Sequence, residues 1–258
     1  MLISILIIFI FGSCAPFSLK TRPTPPPFSQ NEIFNIFSKF KKQKRWADTF
    51  FSSGRLEFRG SDIEGESDIL IACSRDPFRL KIELTHSWGK PLLHILIHEK
   101  TFHILSFQEK QYGIGELGDY FKWSFFPVSL NQDQLWGIAR GFPVLEDYKT
   151  VVSGKGNQIT LLDNKGKYLQ VIDFLPESDL PGKISFPQQK LQISFMDFQT
   201  IDDLYYASSI MAKDDTNDNV LILNLKQMVF NKPISEDFFV LEIPPDFKII
   251  QIPGSKEK

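Results

Sequence analysis

Three histidines close together in the chain are the first residues whose types and spacing could bind a metal. The segment His98–His103 is similar to a zinc-protease motif, but its two histidines are one position too far apart. If the chain turns in the middle of this segment, His94, His98 and His103 share one face of a β-hairpin, where three imidazoles could bind Zn²⁺. Half-exposed sheet histidines are the more common explanation, so we predict no metal site.

Two other segments could suggest a reactive or metal-binding site but lack the residues that such a site needs. Cys73 ends the apolar run Ile69–Cys73, where a thiol behaves as a small hydrophobe and has no base beside it. The segment Asp214–Asn219 is similar to a calcium loop but lacks the required glycine and the final glutamate, so we predict a polar turn. No Gly-x-Ser-x-Gly, P-loop or Cys-x-x-Cys motif is present. We therefore predict that the protein is not an enzyme and binds no cofactor.

Cys14 has the clearest predicted chemistry. The uncharged segment Met1–Ser13 has the length of a signal peptide and is shorter than the roughly 20 residues of a membrane span. Gly12-Ser13-Cys14 resembles the lipobox of bacterial lipoproteins, a resemblance that implies cleavage before the cysteine and its acylation. An uncleaved N-terminal anchor is the alternative. Because Ala15 stands where inner-membrane retention uses Asp, we expect a lipid-anchored, periplasm-facing protein of the outer membrane.

Composition narrows the class of partner. The 29 basic and 31 acidic side chains give a formal charge of −2, which argues against a broad nucleic-acid interface. Hydrophobic residues make up 42% of the chain, as in ordinary globular proteins. The 25 phenylalanines supply more large apolar surface than a modest core needs. An apolar ligand is therefore a more suitable partner than a nucleic acid.

The chain divides into four parts. We predict a signal peptide over residues 1–13, a lipidated cysteine with a proline-rich tether over 14–28, a single domain over 29–252 and a polar tail over 253–258. The five prolines between positions 16 and 27 favour extended polyproline II, which suits a spacer.

Two segments carry helix signals. Ser29–Glu32 reads as a capping box and is followed by apolar residues at helical spacing and by a basic end over Lys39–Arg45. That end is either a solvated helix terminus or a contact for anionic head groups. Ser129–Gln132 reads as a second capping box, with Gly141 as the stop. The aromatic segment Tyr120–Pro127 before it is either a plug of the sheet or a movable lid.

The remaining pattern is typical of β-strands. Apolar and polar residues alternate over Leu56–Phe58, Phe78–Leu84 and Leu93–Ile97, and the strand after Glu99-Lys100 returns through Phe102 and Ile104. Further strands are predicted over these segments: Gln158–Leu162, Tyr168–Phe174, Lys190–Phe198, Tyr205–Ala212, Val220–Phe230 and Phe238–Ile243. Many short strands at such spacing indicate a sandwich or a barrel-like sheet.

Several segments in order resemble the LolA/LolB-like superfamily of lipoprotein carriers and receptors. They are the N-terminal helix with Gly54–Phe58, the strands around the tip Ser87–Pro91, the segment Phe126–Pro143, and Phe230–Pro245. The resemblance implies a mainly β fold with a few helices: a strongly curved antiparallel sheet, an unclosed half-barrel, covered by helices on its concave side. It also implies a cavity for acyl chains such as palmitate.

The alternating side chains that would line this cavity form one set. They are Leu56, Phe58, Phe78, Leu80, Ile82, Leu93, Ile95, Ile97, Phe102, Ile104, Trp123, Phe125, Leu135, Trp136 and Ile138. By position, Trp88 resembles the apolar loop residue with which the membrane-anchored receptor touches the bilayer, and a buried loop tryptophan is the alternative.

The resemblance implies a function in receiving or sorting lipoproteins. The expected partners are a lipid or acylated cargo, the membrane through Cys14, and a periplasmic carrier protein. A non-enzymatic scaffold lipoprotein that binds a partner in an envelope complex is the alternative.

Overall fold

A computed structural model describes residues 25–60, 64–116, 128, 130–154, 156–216 and 218–252. Two α-helices, α1 (Gln30–Trp46) and α2 (Gln132–Arg140), and a short 3-10 helix (Glu236–Phe239) accompany fourteen strands. The strands are β1 (Thr49–Arg59), β2 (Glu64–Ser74), β3 (Arg79–Thr85), β4 (Pro91–His98), β5 (Thr101–Ser106), β6 (Gln111–Glu116), β7 (Thr150–Ser153), β8 (Gln158–Leu162), β9 (Tyr168–Phe174), β10 (Pro181–Phe186), β11 (Leu191–Ile201), β12 (Leu204–Asp214), β13 (Asn219–Phe230) and β14 (Lys248–Gln251).

The strands form one sheet that is antiparallel except for the β14–β6 pair. Its order is β14-β6-β5-β4-β3-β2-β1-β13-β12-β11-β10-β9-β8-β7. One meander, β1–β6, therefore joins a second meander, β7–β13, through the single β1–β13 pairing. In the described part of the chain β14 and β7 are the two edges, so the sheet is not closed. The predicted mainly β class with a few helices is confirmed.

Helix α1 begins as its sequence predicts. The Ser29 hydroxyl accepts from the Glu32 backbone N–H, and the Glu32 carboxylate accepts from the Ser29 backbone N–H. Such reciprocal caps satisfy donors that the first helical turn leaves free. The buried side of the helix carries Ile33, Ile36 and Phe37 with two further residues. Helix α1 runs past the turn between β11 and β12 and ends next to the start of β1.

Helix α2 begins two residues later than predicted. Its N-cap is Asn131, whose side chain accepts from the Gln134 backbone N–H, and the Gln134 side chain accepts from the Asn131 N–H. The predicted cap over Ser129–Gln132 is therefore wrong. The sequence offers two overlapping capping patterns, a small polar residue with glutamine three positions later, and the helix uses the second one, Asn131 with Gln134. The predicted end at Gly141 is confirmed, with a left-handed φ of 76°.

Alternation places most of the strands correctly. The predicted segments Gln158–Leu162 and Tyr168–Phe174 coincide with β8 and β9, and the hairpin that turns after His98 is present. The prediction of a strand over Phe238–Ile243 is wrong, because this segment forms the end of the 3-10 helix and an irregular stretch. Its apolar side chains lie against the outside of the sheet instead of pairing in it.

The segment 231–247, here called the strap, crosses the outer face of the sheet from the end of β13 to β14. Arg79 on β3 makes a bidentate ion pair with Glu236, and the Phe238 ring lies 5.9 Å from the ring of Phe51 on β1. At the far end the rings of Phe107 and Phe247 are 5.6 Å apart. The strap therefore covers the outer face of the first meander.

Replacing Gly141 by alanine should destabilise the fold by about 3 kcal/mol. An added Cβ would lie 2.6 Å from the backbone oxygen of Ala207, whose N–H donates to the Gly141 carbonyl. The left-handed backbone adds about 1–2 kcal/mol for a residue with a side chain. Gly89→Ala is the matched control, since Gly89 has a φ of 84° but open space around it. Urea unfolding should show a clearly larger loss for Gly141→Ala, and equal losses would contradict the proposed contact.

Candidate functional site

The predicted cavity side chains that lie on the described strands share one face of the sheet, here called the core face. Cross-strand pairs such as Ile82–Ile95 and Ile95–Ile104 show how the period-two pattern brings them together. Ten of the set are buried in a single apolar cluster: Leu56, Leu80, Ile82, Leu93, Ile95, Ile97, Phe102, Ile104, Trp136 and Ile138. Phe58, Phe78 and Leu135 are half-buried and pack against it.

Both helices cover the core face. The Trp136 ring of α2 lies 5.1 Å from the ring of Phe50 on β1 and 6.2 Å from that of Phe78. On the same helix, Gln134 donates to the Gln189 side chain, which lies in the turn between β10 and β11, at 2.8 Å. Helix α2 therefore contacts both meanders of the sheet.

The core face also carries two buried hydroxyls. Ser52 on β1 and Ser67 on β2 have no hydrogen-bond partner for Oγ in the described part of the protein. Ser67 pairs across the strands with Leu56, so its side chain points toward the predicted cavity. Beneath α2, a cavity of about 10 Å³ lies between Gly137, Phe186 and Phe195 and has room for roughly one water.

A buried polar network ties α1 to α2. The Gln43 side-chain oxygen accepts from Arg140 Nη2 at 2.8 Å and from the Tyr205 backbone N–H at 2.9 Å. The Gln43 amide nitrogen donates to the Asp203 carbonyl at 2.8 Å. One side chain of α1 therefore binds the end of α2 and the turn between β11 and β12.

Arg140 is the least expected member of this network. Its guanidinium lies 5.2 Å from the Phe142 ring and 5.8 Å from the Phe230 ring, and burial lowers its pKa to about 9. Within the described residues it has no carboxylate partner. Sequence reasoning missed this residue because a basic side chain in the last turn of a helix usually interacts with the helix dipole in solvent.

A groove of about 600 Å³ lies on the outer face of the sheet, between β3, β4 and the strap. Lys81 Nζ lies 3.1 Å from Glu83 Oε1 and donates to the Val240 carbonyl at 3.3 Å. Glu83 pairs across the strands with His94. Because charged groups line the sheet side of this groove and it lies on the opposite face, it is distinct from the predicted acyl-chain cavity. The sequence offered no signal for it, since the strap reaches β3 only in the folded chain.

Two histidines on the outer face of the sheet, His94 and His103, should make the protein less stable in acid. Burial lowers the pKa of His94, with Glu83 opposing and Lys81 reinforcing that shift, and burial also lowers the pKa of His103. The unfolded chain therefore binds protons more readily below about pH 6.5, and stability falls as pH decreases through that window.

Urea unfolding at a series of pH values tests this expectation. His94→Gln and His103→Gln should each flatten the pH dependence of the free energy of unfolding, and the double variant should flatten it further. One proton of difference between the two states contributes about 1.4 kcal/mol per pH unit. A double variant with the slope of the original protein would contradict the role of these two side chains.

The remaining chemical candidates are placed as follows. His94, His98 and His103 share the outer face, as the hairpin prediction required. His103 Nδ1 lies 2.7 Å from the Tyr112 hydroxyl. Within the described ranges no group of three or more His, Cys, Asp or Glu side chains could hold a metal ion. Burial raises the pKa of the Cys73 thiol well above its usual value, which opposes a nucleophilic role at neutral pH.

Trp88 lies at the tip of the β3–β4 turn and is 72% exposed, so the alternative of a buried loop tryptophan is wrong. Its ring stacks on His86 with 4.2 Å between the centroids. None of the helices among the described residues has the length and hydropathy of a membrane span. Cys14, Trp123, Phe125 and the terminal segments 1–13 and 253–258 lie outside the described residues, as does most of the tether.

Comparison with known proteins shows a shared fold. No family model and no curated protein matches the chain. A domain assigned as an outer membrane lipoprotein-sorting protein from Vibrio parahaemolyticus matches with a TM-score of 0.54 and 11% identity, covering 80% of this chain and 94% of that one. A DUF1329 family protein from Desulfovibrio piger matches with a TM-score of 0.56 and 9% identity, covering 84% and 98%.

A LolA superfamily protein from Nitrosomonas europaea is a third match, with a TM-score of 0.48 and 14% identity over 81% of this chain and 97% of that one. The match to the lipoprotein-sorting domain, with its TM-score of 0.54, confirms at the level of the fold the structural resemblance that the sequence motifs predicted.

Proposed function

We propose that this protein is a non-enzymatic, lipid-anchored envelope protein that binds acyl chains between the core face of its sheet and the helices over it, and that it receives or sorts lipoproteins. The observation that carries the proposal is the gathering of the thirteen described members of the predicted cavity set into one apolar cluster under both helices. The fold shared with a lipoprotein-sorting domain supports it. Burial of apolar area would drive uptake at roughly 25 cal/mol per Å².

A strongly curved half-barrel is the form of sheet that this function needs. In a flat sheet β3 and β11, five places apart in the strand order, would lie about 24 Å apart. Helix α2 nevertheless contacts Phe78, just before β3, and Gln189, in the turn before β11, through side chains only two positions apart. This contact with both meanders supports a sheet bent around the helix.

Uptake of a ligand requires the cover to move. The buried side chains of the core face pack on one another and on α2. We infer that an acyl chain enters by displacing the cover over the core face. The Ser67 hydroxyl, which has no hydrogen-bond partner among the described residues, would then meet the ligand inside the apolar cluster.

We propose two contacts between the protein and the membrane. Acylation of Cys14 would hold the domain at the periplasmic side of the outer membrane, with residues 14–28 as tether, and several acyl chains on one cysteine would make this binding nearly permanent. Exposed Trp88 is the proposed contact between the β3–β4 tip and a bilayer, because tryptophan favours the interface. A periplasmic carrier would deliver the acylated cargo.

Native mass spectrometry of the full chain extracted from membranes tests lipid binding. The original protein should carry a bound lipid in addition to any acyl groups on Cys14. Ser67→Phe would fill space on the core face and should lower the lipid-bound fraction. Ser53→Phe, on the opposite face of β1, is the matched control and should keep it. A protein that is empty in every preparation would contradict the proposal.

A scaffold lipoprotein is the second candidate function. The outer-face groove favours it, because its charged sheet side and the strap offer a surface for a protein partner. Depletion in cells separates the two candidates. Mislocalised lipoproteins support lipoprotein sorting, whereas loss of an envelope complex with normal lipoprotein sorting supports the scaffold.

A further inference from the structure

The exposed side of α1 carries both aromatic and basic residues. Phe34 is 71% exposed and Trp46 is 45% exposed, although both are large apolar side chains. Lys41, Lys42 and Arg45 are exposed on the same side of the helix. At 100° per residue these five positions share one face, and the buried residues lie on the opposite face. We call these five residues the outer face of α1.

The cations of this face lack counterions. Lys41, Lys42 and Arg45 form no ion pair with any carboxylate in the described part of the chain. By contrast, Lys39 and Lys44 on the same helix pair with Asp179 at 2.7 Å and with Asp133 at 3.5 Å. The outer face of α1 therefore keeps a net positive charge.

One of these cations packs on an aromatic ring. Lys42 Nζ lies 3.9 Å from the centroid of the Trp46 ring. A lysine on a tryptophan at the surface joins a charged head to an apolar body, as in residues that lie at the edge of a bilayer.

We propose that the outer face of α1 lies on the surface of an anionic phospholipid bilayer. Phe34 and Trp46 enter the interface, and Lys41, Lys42 and Arg45 contact lipid phosphates. Helices that bind membranes from the side combine aromatic anchors with basic residues in this way. Each such cation contributes about fivefold to the affinity for an anionic surface.

The position of the helix in the chain identifies a bilayer as the occupant in preference to an acidic protein. Pro25 lies eleven positions after Cys14, so the chain between these two residues can extend over at most about 40 Å. An acyl anchor at Cys14 would keep α1, which begins at Gln30, close to the membrane. This step rests on the anchoring that we propose for Cys14.

The outer face of α1 and Trp88 lie at different ends of the first meander. Arg75, in the turn before β3, donates to the Lys44 carbonyl of α1. Trp88 follows the other end of β3, a strand of seven residues that spans about 23 Å. The two surfaces can therefore be tested separately.

A fluorescent label on α1 tests the inference in the full chain. Ser38 is exposed on the outer side of the helix, between Phe34 and Lys42, so Ser38→Cys can carry an environment-sensitive fluorophore. Buried Cys73 should not react in the folded protein. Lys165→Cys, in the exposed turn between β8 and β9, is the matched control for label position. The protein is reconstituted in vesicles of phosphatidylglycerol or of phosphatidylcholine.

In phosphatidylglycerol vesicles the emission of the Ser38 label should shift to the blue, and salt should reduce the shift. The variant Lys41→Gln/Lys42→Gln/Arg45→Gln should lower the equilibrium constant for contact between α1 and the bilayer about a hundredfold. The label at position 165 should not respond. Trp88→Ala should leave the response at position 38 unchanged.

Several results would overturn the inference. A Ser38 label that stays in water while the protein floats with the vesicles excludes contact of α1 with the bilayer. An equal shift in the triple variant or in phosphatidylcholine excludes a contact with anionic lipid. A response in native membranes but not in protein-free vesicles assigns the face to a protein partner. If the chain fails to float, the Cys14 anchor fails, and the Ser38→Cys label in a Cys14→Ser chain with added vesicles still decides the inference.

Discussion

Replacing Gly54 by alanine should cost about 4 kcal/mol or more, the largest effect that we expect from a single methyl group. Gly54 lies on β1 where the pairing with β13 shifts by one residue. An added Cβ would lie 2.1 Å from the backbone oxygen of Asn224 and 3.0 Å from the Leu225 Cα. Because these are backbone atoms of the neighbouring strand, only a separation of the strands can relieve the contact.

Because of its position in the sheet, this clash should destabilise the whole fold. The β1–β13 pair is the one strand pairing that joins the two meanders in the described sheet. Gly65→Ala on β2 is the matched control, since nothing lies within 4 Å of its added Cβ. Denaturant unfolding should show less than about 1 kcal/mol of change for Gly65→Ala. A Gly54→Ala protein as stable as that control would contradict the close approach of β1 and β13.

Replacing Gln43 by leucine should cost about 4 kcal/mol and should loosen α1. The variant removes the partner of the Asp203 carbonyl, of the Tyr205 N–H and of the Arg140 guanidinium. Each buried polar group left without a hydrogen bond costs about 1–3 kcal/mol, and a buried charge costs more. The measurements are denaturant unfolding and hydrogen exchange of the α1 amides.

Arg140→Met separates the cost of a lost hydrogen bond from that of a buried charge. It removes the cation, while Gln43 keeps its contacts with the turn between β11 and β12, so we expect a change within about 1.5 kcal/mol of the original protein. The double variant Gln43→Leu/Arg140→Met should be less destabilised than the sum of the two single variants, because the stranded guanidinium is gone. Additive losses would contradict the direct contact of the two side chains.

Local signals predicted much of the fold. The start of α1 follows from the Ser29–Glu32 box, which acts within one helical turn. The predicted strands on both sides of the core follow from alternation, because a strand with one buried face must repeat every two residues. The same rule placed Ile82, Ile95 and Ile104 on one face.

Long-range features were not predictable in this way. The apolar residues of Phe238–Ile243 alternate like a strand, but the outer face of β1–β4 binds them as part of the strap. The edge strand β14 has only four residues and pairs with β6 across more than a hundred positions of sequence. Its position depends on Gly113, whose missing side chain leaves space for Ile252.

The candidate site was predictable in its apolar part and not in its polar part. Period-two patterns identify which side chains face the core but carry no information about single polar groups among them. Gln43 and Arg140 lie on helices whose patterns place polar residues on the outside, and only the contact between the two helices buries them.

Site-specific photo-crosslinking in cells tests the central claim, that the core face holds acyl chains, most directly. A photoreactive phenylalanine replaces Phe58, half-buried on the core face, or Phe51, half-buried on the outer face of the same strand. The account predicts crosslinks to lipid or to acylated protein from position 58 and none from position 51. Equal labelling at the two positions, or crosslinks from position 58 to this chain's own residues alone, would contradict it.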